Sequence, residues 1–305
     1  MPQQLRTEVR ATAKVLQKIY NHAPMRFLKY IAIVLAFSFL TLISQIGGLV
    51  LLACLPLFKW VNEKVTGMRF FRMAFKTALF CLLYAVATFW LVPPLAKYYG
   101  RVPMPYSDEH PNVRQHNFMT VLLNRHYVTP TLRKITEGVA EKLSERYQDS
   151  LLVTYLDCNF PFFDGFPLQP HLSHDDGRKI DISFQYLDAQ TKQPSYNCPS
   201  WIGYGVCEEP RVGEEDYPEK CREEGNWAYS FMKNTVVSQR YKRDFLFDAS
   251  KTKDVISYFL ADNRVNFVLI EPHLKKRLGF ELRQKVRRPP CEAVRHDDHI
   301  HVAIY

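Results

Sequence analysis

Five of the ten histidines lie in two short runs that also contain aspartates. In the first run His174 precedes Asp181 by seven residues, with Gly177 between them, and in the second His299 and His301 are two residues apart. Because alternate residues of a strand project from the same face, these last two histidines are predicted to share one face of a strand. The glycine permits a turn that brings the first histidine and the aspartate to one point. Two neutral imidazoles and one carboxylate suit a catalytic zinc ion, which keeps a fourth position open for water.

The arrangement Ser-His-x-x-Gly-x-x-x-Asp, followed far downstream by His-x-His, resembles the LAS metallopeptidases, the superfamily of lysostaphin, D-Ala-D-Ala peptidases and hedgehog domains. Within that superfamily it is most similar to the penicillin-insensitive murein endopeptidases. That subfamily has an extra histidine three residues before the first ligand and another five residues before the last, matched here by His171 and His296. The resemblance covers roughly residues 127–305 and does not reach the first hundred residues.

The resemblance implies a role for each position of the two motifs. His174, Asp181 and His301 would bind one zinc ion. His299 would be the catalytic histidine beside it, and His296 is a second catalytic candidate. Three further residues are candidates for contacting the substrate or supporting the ligands: His171, Ser173 and Asp298.

Non-haem iron is the main alternative metal, since it also uses two histidines and a carboxylate. In the common oxygenase form one residue separates the histidine from the aspartate, whereas six residues lie between His174 and Asp181, which favours zinc. Either Asp297 or Asp298 is expected to hold an imidazole in the required tautomer. The remaining histidines are expected to be ordinary surface or core residues: His22, His110, His116, His126 and His273.

The implied activity is that of a zinc metallopeptidase that hydrolyses amide bonds in peptidoglycan stem peptides or their cross-links. The Glu-x-Trp-His form used by the dipeptidases is absent, so the resemblance favours an endopeptidase. An alternative from another class is a zinc-stabilised module that binds the cell wall or signals without turnover. A peptidase for a non-murein peptide is a third hypothesis. The presence of His299 favours an enzyme over the module.

The cations are placed as in a membrane protein rather than a nucleic-acid-binding protein. The net charge is +9 and the isoelectric point is near 9.1. The cations nevertheless form no single basic stripe with interleaved aromatics, so no nucleic-acid partner is expected. Many of them flank two hydrophobic stretches, residues 30–58 and 78–96, after a basic segment at residues 1–29. This pattern predicts two transmembrane helices that anchor the chain in an inner or cytoplasmic membrane.

Two features complicate the first hydrophobic stretch. Ser44 to Gly48 interrupt it with small and polar residues, which favours helix packing, with a re-entrant hairpin as the alternative. Leu51 to Cys54 look like a lipobox, although the apolar run continues beyond them. Basic residues flank both stretches, so charge alone does not orient the chain. The metallopeptidase activity suggests a periplasmic or extracellular catalytic domain, and a cytoplasmic one remains the alternative.

The part of the chain beyond the membrane stretches contains an odd number of cysteines. They are Cys158, Cys198, Cys207, Cys221 and Cys291, so at most two internal disulfides can form there. Three of them lie in a glycine- and proline-rich insertion, residues 188–225, which is expected to cover one edge of the site. Free thiols at these three positions would favour the cytoplasmic alternative.

The sequence after the two hydrophobic stretches predicts a linker at residues 100–126 and a catalytic domain at residues 127–305. A helix is predicted to begin at Thr129 and Pro130, with a buried stripe at every third or fourth residue. Strands are predicted at 150–156, 179–184 and 265–270, with helices at 227–237 and 251–260 and a final strand that carries the His-x-His pair. Runs of both element types indicate an α+β fold, a mostly antiparallel sheet with flanking helices that hold a mononuclear zinc site.

Overall fold

The computed structural model describes residues 27–148 and 150–305, which divide into two compact units at residue 84. His22 and most of the basic segment lie outside the described residues. The first unit is helical, with α1 at Phe27–Ser44, α2 at Gly47–Lys64 and α3 at Arg69–Val86. A π-helical turn at Ala87–Leu91 and then α4 at Val92–Tyr98 continue from α3.

Two helices of the described chain are long and apolar enough to cross a membrane, judged by length and composition alone. They are Phe27–Ser44 and the continuous helical stretch Arg69–Tyr98. The predicted helix over residues 30–58 is not continuous, because a bend at Gln45 and Ile46 separates α1 from α2. Gln45 has a left-handed backbone with φ of 63°.

Gly48 explains why the two helices can pack so tightly at this break. A Cβ at Gly48 would lie 2.1 Å from Thr41 Oγ1 and 2.6 Å from the Phe37 carbonyl oxygen. Only a glycine therefore lets α2 turn back against the last turns of α1. The small residues therefore pack α2 against α1 at a bend, which corresponds to the hairpin alternative rather than to the predicted continuous helix.

The second unit is an α+β structure built on one mixed sheet. Its strands are β1 Val102–Pro103, β2 Val113–Gln115, β3 Tyr127–Val128, β4 Val153–Tyr155, β5 Lys179–Ser183, β6 Tyr186–Asp188, β7 Pro194–Ser195, β8 Phe245–Phe247, β9 Val265–Leu269, β10 Val286–Arg287 and β11 His299–Ile304. The six-stranded sheet has the order β10-β9-β11-β5-β4-β2. Its three inner pairs are antiparallel, whereas the two outer pairs, β10–β9 and β4–β2, are parallel. The sheet is thus mixed, and the predicted antiparallel pairing holds for its centre. The small sheets β7-β6-β8 and β1-β3 are antiparallel.

Five further helices belong to the second unit, and the second, fourth and fifth of them contribute side chains to the main core. They are α5 Phe118–Leu122, α6 Pro130–Tyr147, α7 Tyr217–Glu223, α8 Ala249–Ala261 and α9 Pro272–Arg277. Helix α6 begins as predicted, because the Thr129 side chain accepts a hydrogen bond from the Leu132 amide and Pro130 occupies the first turn. Its stripe of Leu132, Ile135, Val139 and Leu143 is buried in the main core. The predicted helix over residues 227–237 is instead a 3₁₀ turn at Trp227–Ser230 and a π-helical turn at Met232–Val236, followed by a second 3₁₀ turn at Gln239–Asp244.

Residues 100–126, predicted as a linker, are folded into the second unit. Strand β2 pairs with β4 at the edge of the main sheet. Met104 and Val113 are fully buried in the core, and Arg101 is 2% exposed. The prolines that suggested a linker therefore mark the ends of short elements rather than a free connection.

One disulfide, Cys221–Cys291, joins α7 to the segment that precedes the second histidine run. Cys158, Cys198 and Cys207 are free and buried. Cys221 therefore pairs outside the insertion that contains it, across a sequence separation of 70 residues.

Strand β11 alternates as its sequence predicted. Ile300, Val302 and Ile304 point into the main core. His301 lies directly opposite Asp181 of β5 in the antiparallel register, and His299 lies opposite Ser183. The register of two strands thus brings together residues that are 120 positions apart in the chain.

Candidate metal centre

Three ligand atoms from the two motifs converge in the second unit. His174 Nε2, Asp181 Oδ1 and His301 Nδ1 lie 2.9–3.1 Å from one another. His174 and Asp181 are fully buried and His301 is 2% exposed. Because their ligand atoms lie this close together, His174, Asp181 and His301 can hold a metal ion. We call these three residues the metal group.

A turn at Gly177 delivers His174 to this point. Gly177 has φ of +77°, and a Cβ there would lie 3.1 Å from Arg101 Nε. Its amide donates to Asn159 Oδ1 at 3.0 Å, which fixes the turn against the chain that follows β4. The predicted role of this glycine matches its conformation.

The backbone carbonyl of Cys158 orients His174. His174 Nδ1 lies 2.6 Å from that oxygen, so Nδ1 carries the proton and donates it. The lone pair of Nε2 then faces Asp181 and His301. This is the arrangement by which backbone carbonyls fix metal-binding imidazoles in other proteins.

A second buried group shares the same carboxylate. His171 Nδ1 lies 3.0 Å from Asp181 Oδ2, and His299 Nε2 lies 3.6 Å from Asp181 Oδ1. These three residues can also hold a metal ion. His171 Nδ1 pairs with Asp181, whereas His299 Nε2 is buried and lacks a hydrogen-bond partner in the described part of the chain. Unpaired buried nitrogens are rare in folded proteins, and a cation, water or substrate would satisfy them.

Asp298 holds His299 from the side opposite the carboxylate of Asp181. Its Oδ1 accepts a hydrogen bond from His299 Nδ1, and its Oδ2 accepts one from the Gly205 amide. Of the two adjacent aspartates, Asp298 therefore supports an imidazole, whereas Asp297 pairs with Arg295. The supported imidazole belongs to the expected catalytic histidine and not to one of the three expected zinc ligands.

The two other residues predicted for the site, His296 and Ser173, differ in how close they lie to the cluster of Asp181 and the buried histidines. The His296 ring lies 4.6 Å from that of His299, and its Nδ1 is 2.7 Å from the Val294 carbonyl oxygen. Ser173 is exposed, and no hydrogen bond ties it to the cluster in the part of the chain described. The structure thus gathers five histidines around one aspartate and leaves the serine outside.

The buried side chains of Asp181 and the five histidines around it shift one another's pKa values. Burial raises the pKa of Asp181, but the nearby imidazoles of His174, His299 and His171 outweigh it and hold that pKa well below its usual value. Burial lowers the pKa of His171, but the carboxylates of Asp181 and Asp157 outweigh it and raise that pKa to about 9. Burial lowers the pKa of His301 to about 4, and burial with the neighbouring His299 lowers that of His296 well below its usual value. A buried carboxylate surrounded by imidazole nitrogens is the donor set of a cation site.

No family and no curated protein match this chain. The resemblance to the LAS metallopeptidases therefore depends on the two sequence motifs alone.

Sequence reasoning did not single out Tyr204. Its hydroxyl donates to Asp181 Oδ2 at 2.9 Å and accepts a hydrogen bond from the Asp157 amide at 3.1 Å. Gly203 and Gly205 flank it with φ of +85° and +84°. A tyrosine between two such glycines is the signal that could have found it, because tight backbone passages favour glycine.

A buried ion pair beside the cluster was also missed. Arg125 donates to both carboxylate oxygens of Asp157, at 2.8 and 2.7 Å. Asp157 lies 3.7 Å from His171 Nδ1 and directly follows the segment predicted as a strand. The position of Asp157 at the end of a predicted strand that leads toward the first motif was the sequence signal that could have identified it.

One further set of possible metal ligands is paired with basic side chains of the protein. Cys207, Glu209 and Asp297 lie close enough to hold a cation, but Arg295 pairs with both carboxylates and Lys233 with Glu209. The remaining described histidines lie outside the metal groups: His110, His116, His126 and His273.

Proposed function

We propose that this chain is a membrane-anchored zinc metallopeptidase that hydrolyses amide bonds in peptidoglycan stem peptides or cross-links. One observation carries the proposal. Three buried ligand atoms lie within 3.1 Å of one another, and the unpaired His299 Nε2 stands 3.6 Å from the shared carboxylate. This combines a metal-binding group with a neighbouring base.

The donors fit zinc better than magnesium or calcium. Two imidazole nitrogens and one carboxylate oxygen, His174, His301 and Asp181, match the three-ligand sets of catalytic zinc sites. Magnesium and calcium prefer oxygen ligands, which are too few here. A zinc ion held by these residues would act as a Lewis acid and lower the pKa of a water molecule.

His299 would handle the proton during hydrolysis. With Nδ1 donating to Asp298, Nε2 is left as an acceptor that faces the metal group. It would take a proton from the attacking water and later deliver it to the leaving amine. The carboxylate of Asp298 would stabilise the imidazolium that forms between these steps.

Two further side chains would bind the substrate. The Tyr204 hydroxyl and His171 Nδ1 both lie within 3.0 Å of Asp181 Oδ2, at the edge of the metal group. Both are hydrogen-bonding groups next to the point where the carbonyl oxygen would gain charge. They would orient the amide rather than attack it.

The substrate class comes from the resemblance, and the location from the apolar helices. An anchor near the N-terminus would restrict the enzyme to the layer close to the bilayer, and the proposed activity would require the catalytic domain to lie on the periplasmic or extracellular side. The net charge of +9 would also attract anionic wall polymers.

The alternatives are a zinc-stabilised wall-binding or signalling module without turnover, and a peptidase for a non-murein peptide. A module without turnover has no need for a histidine base. The hydrogen bond between Asp298 and His299 therefore favours an enzyme.

The test is metal content and peptide release by the full chain in lipid nanodiscs. The variants are His301→Ala and His110→Ala, the second a partly buried histidine outside the metal groups. We expect one zinc ion per chain and new peptide ends from cell walls, both lost in His301→Ala and both kept in His110→Ala. Zinc binding without cleavage of any wall or peptide would favour the module.

A further inference from the structure

The second unit begins within the longer of the two apolar helices. Residues 85–98 belong to this unit and complete the helical stretch Arg69–Tyr98, which is long and apolar enough to cross a membrane. Phe89 packs this part of the helix against the unit, since its ring stacks on that of Phe118 at 6.1 Å and lies 6.4 Å from that of Tyr106. The end of the apolar helix is thus part of the folded second unit.

Two faces of this helix end differ in exposure. Val92 and Ala96 are buried, at a spacing of four residues. Leu91, Leu95 and Tyr98 are exposed at the spacing i, i+4 and i+7, which places them on one face. An exposed apolar face on a helix that can cross a membrane is expected to contact lipid.

An aromatic patch continues from the end of the helix into a loop of the second unit. The patch consists of Tyr98, Tyr99, Phe162 and Phe163, whose neighbouring rings lie 5.3–6.3 Å apart. Tyrosine collects at membrane–water interfaces, because its ring is apolar and its hydroxyl stays in water. The two tyrosines follow Lys97 at the end of an apolar helix, so they mark the level of such an interface. Phe163, which is 57% exposed, lies at the same level.

Two contacts hold the loop in this place. The Arg101 guanidinium donates to the Phe160 carbonyl oxygen and to the Asp164 carboxylate, on either side of Phe163. Arg101 is only two residues beyond Tyr99 in the chain. The loop is therefore fixed beside the end of the helix, and its exposed phenylalanine cannot withdraw into the core without breaking these contacts.

We propose that the aromatic patch enters the membrane interface, with the Phe163 ring among the lipids, and thereby seats the second unit on the bilayer. The inference rests on the membrane anchor of the proposed function and not on its catalytic activity. The partner is the lipid surface, because the patch is continuous with the exposed face of a helix that can cross it. A half-exposed phenylalanine ring is stabilised when it leaves water for an apolar phase.

The seated patch has a consequence for the metal group. The Gly165 amide, two residues after Phe163, donates to the Asp175 carbonyl oxygen at 3.0 Å, and Asp175 directly follows His174. The loop that carries the patch is thus the loop that presents a metal ligand. Contact of Phe163 with lipid would hold the metal group close to the bilayer and restrict its substrates to amides near the lipid surface.

The test is photo-crosslinking of the full chain in lipid nanodiscs. Benzoylphenylalanine (Bpa) is introduced at one position at a time, and lipid adducts are measured by mass spectrometry. Phe163→Bpa probes the loop and Leu95→Bpa probes the helix. Leu282→Bpa is the control, because Leu282 is 97% exposed between the charged residues Glu281 and Arg283. We expect adducts at both probes, with a yield at Phe163 about tenfold or more above that of the control.

The converse labelling uses the wild-type chain and does not depend on a substitution. Lipids with a diazirine on the acyl chain are photolysed in the same nanodiscs, and the labelled peptides are identified. We expect label on residues 160–166 as well as on residues 85–98, and none on the segment that contains Leu282.

The outcomes separate the inference from the anchor. Lipid adducts at Leu95 without adducts at Phe163, or equal yields at Phe163 and Leu282, would overturn the inference and leave the anchor standing. Adducts at Phe163 without adducts at Leu95 would overturn the helix as a membrane span and leave the patch as a lipid contact. Absence of adducts at both positions would overturn both proposals.

Discussion

His299 donates from Nδ1 to the carboxylate of Asp298, and its other nitrogen, Nε2, lies 3.6 Å from Asp181 Oδ1. One hydrogen bond thus decides which nitrogen of the ring carries a proton and where the other nitrogen points. The Asp298 carboxylate also accepts a hydrogen bond from the Gly205 amide, so it cannot easily follow the His299 ring if the ring turns.

Asp298→Asn tests this relationship. An amide in that place can donate to Nδ1 and so favour the tautomer with the proton on Nε2, which removes the base. We expect kcat to fall about 10- to 100-fold, as for other residues that orient an imidazole. Zinc content should not change, because Asp298 contacts none of the three expected ligands directly. Loss of zinc together with activity would show that Asp298 supports the metal group instead.

Chelation of the proposed zinc ion should destabilise the second unit. In the described residues His299 Nε2 and His301 Nε2 are buried without hydrogen-bond partners, and Asp181 is buried among imidazoles. A ligand at about 1,000 times its dissociation constant stabilises the folded state by roughly 4 kcal/mol. We therefore expect a chelator to lower the melting temperature of the wild type by several degrees. The His301→Ala variant should already melt low and should not respond to the chelator. Equal responses would mean that the chelator acts elsewhere.

Local patterns predicted much of the site. The alternation of Ile300 and Val302 with His299 and His301 requires only the twofold repeat of a strand, and the turn at Gly177 requires only a missing Cβ. These are properties of neighbouring residues, so they can be read from the chain without knowledge of the fold.

What could not be predicted depends on contacts between distant segments. The hydrogen bond from Tyr204 to Asp181 and the disulfide between Cys221 and Cys291 both require the insertion to be placed against the sheet. The parallel pairing of β2 with β4 likewise depends on how a proline-containing segment closes the sheet edge. Neither composition nor periodicity carries that information. The bend at Gln45 lies within the small and polar residues Ser44 to Gly48, which the sequence marks as an interruption but which do not by themselves distinguish a bend from the packing of one continuous helix.

Acid should destabilise the protein through Asp157. Burial raises the pKa of this carboxyl, but Arg125 and His171 outweigh burial and lower it from 3.8 to about 2. Because the folded pKa is the lower one, the charged carboxylate stabilises the fold above pH 3.8, and that contribution is lost as the pH falls through the folded value. A shift of this size corresponds to about 2 kcal/mol.

The measurement is the free energy of unfolding from urea titrations at pH 6 and pH 2, with a chelator present so that metal loss does not contribute. The wild type should lose about 2 kcal/mol more between these pH values than Asp157→Asn, which cannot titrate there. The same loss in both proteins would assign the acid sensitivity to other carboxylates.

Arg101 should couple the start of the second unit to the metal group. Its side chain is 2% exposed. The guanidinium donates to the Phe160 carbonyl oxygen, to the Asp164 carboxylate and, at 3.1 Å, to the Asp175 carbonyl oxygen. These contacts hold both ends of the loop whose last turn presents His174, the residue before Asp175. A side chain without these donors leaves buried carbonyl oxygens unpaired and the loop loose.

Arg101→Met is therefore expected to lower the free energy of unfolding by about 3 kcal/mol and also to weaken zinc binding by tenfold or more. Arg178→Met is the control, since Arg178 lies near the same loop but its side chain is exposed. The measurements are urea unfolding with chelator present and competition for zinc with a chromophoric chelator. If only stability falls and zinc affinity is unchanged, Arg101 supports the fold without positioning His174. If both change, the first residues after α4 help to set the geometry of the metal group, because they determine how firmly the loop holds its histidine.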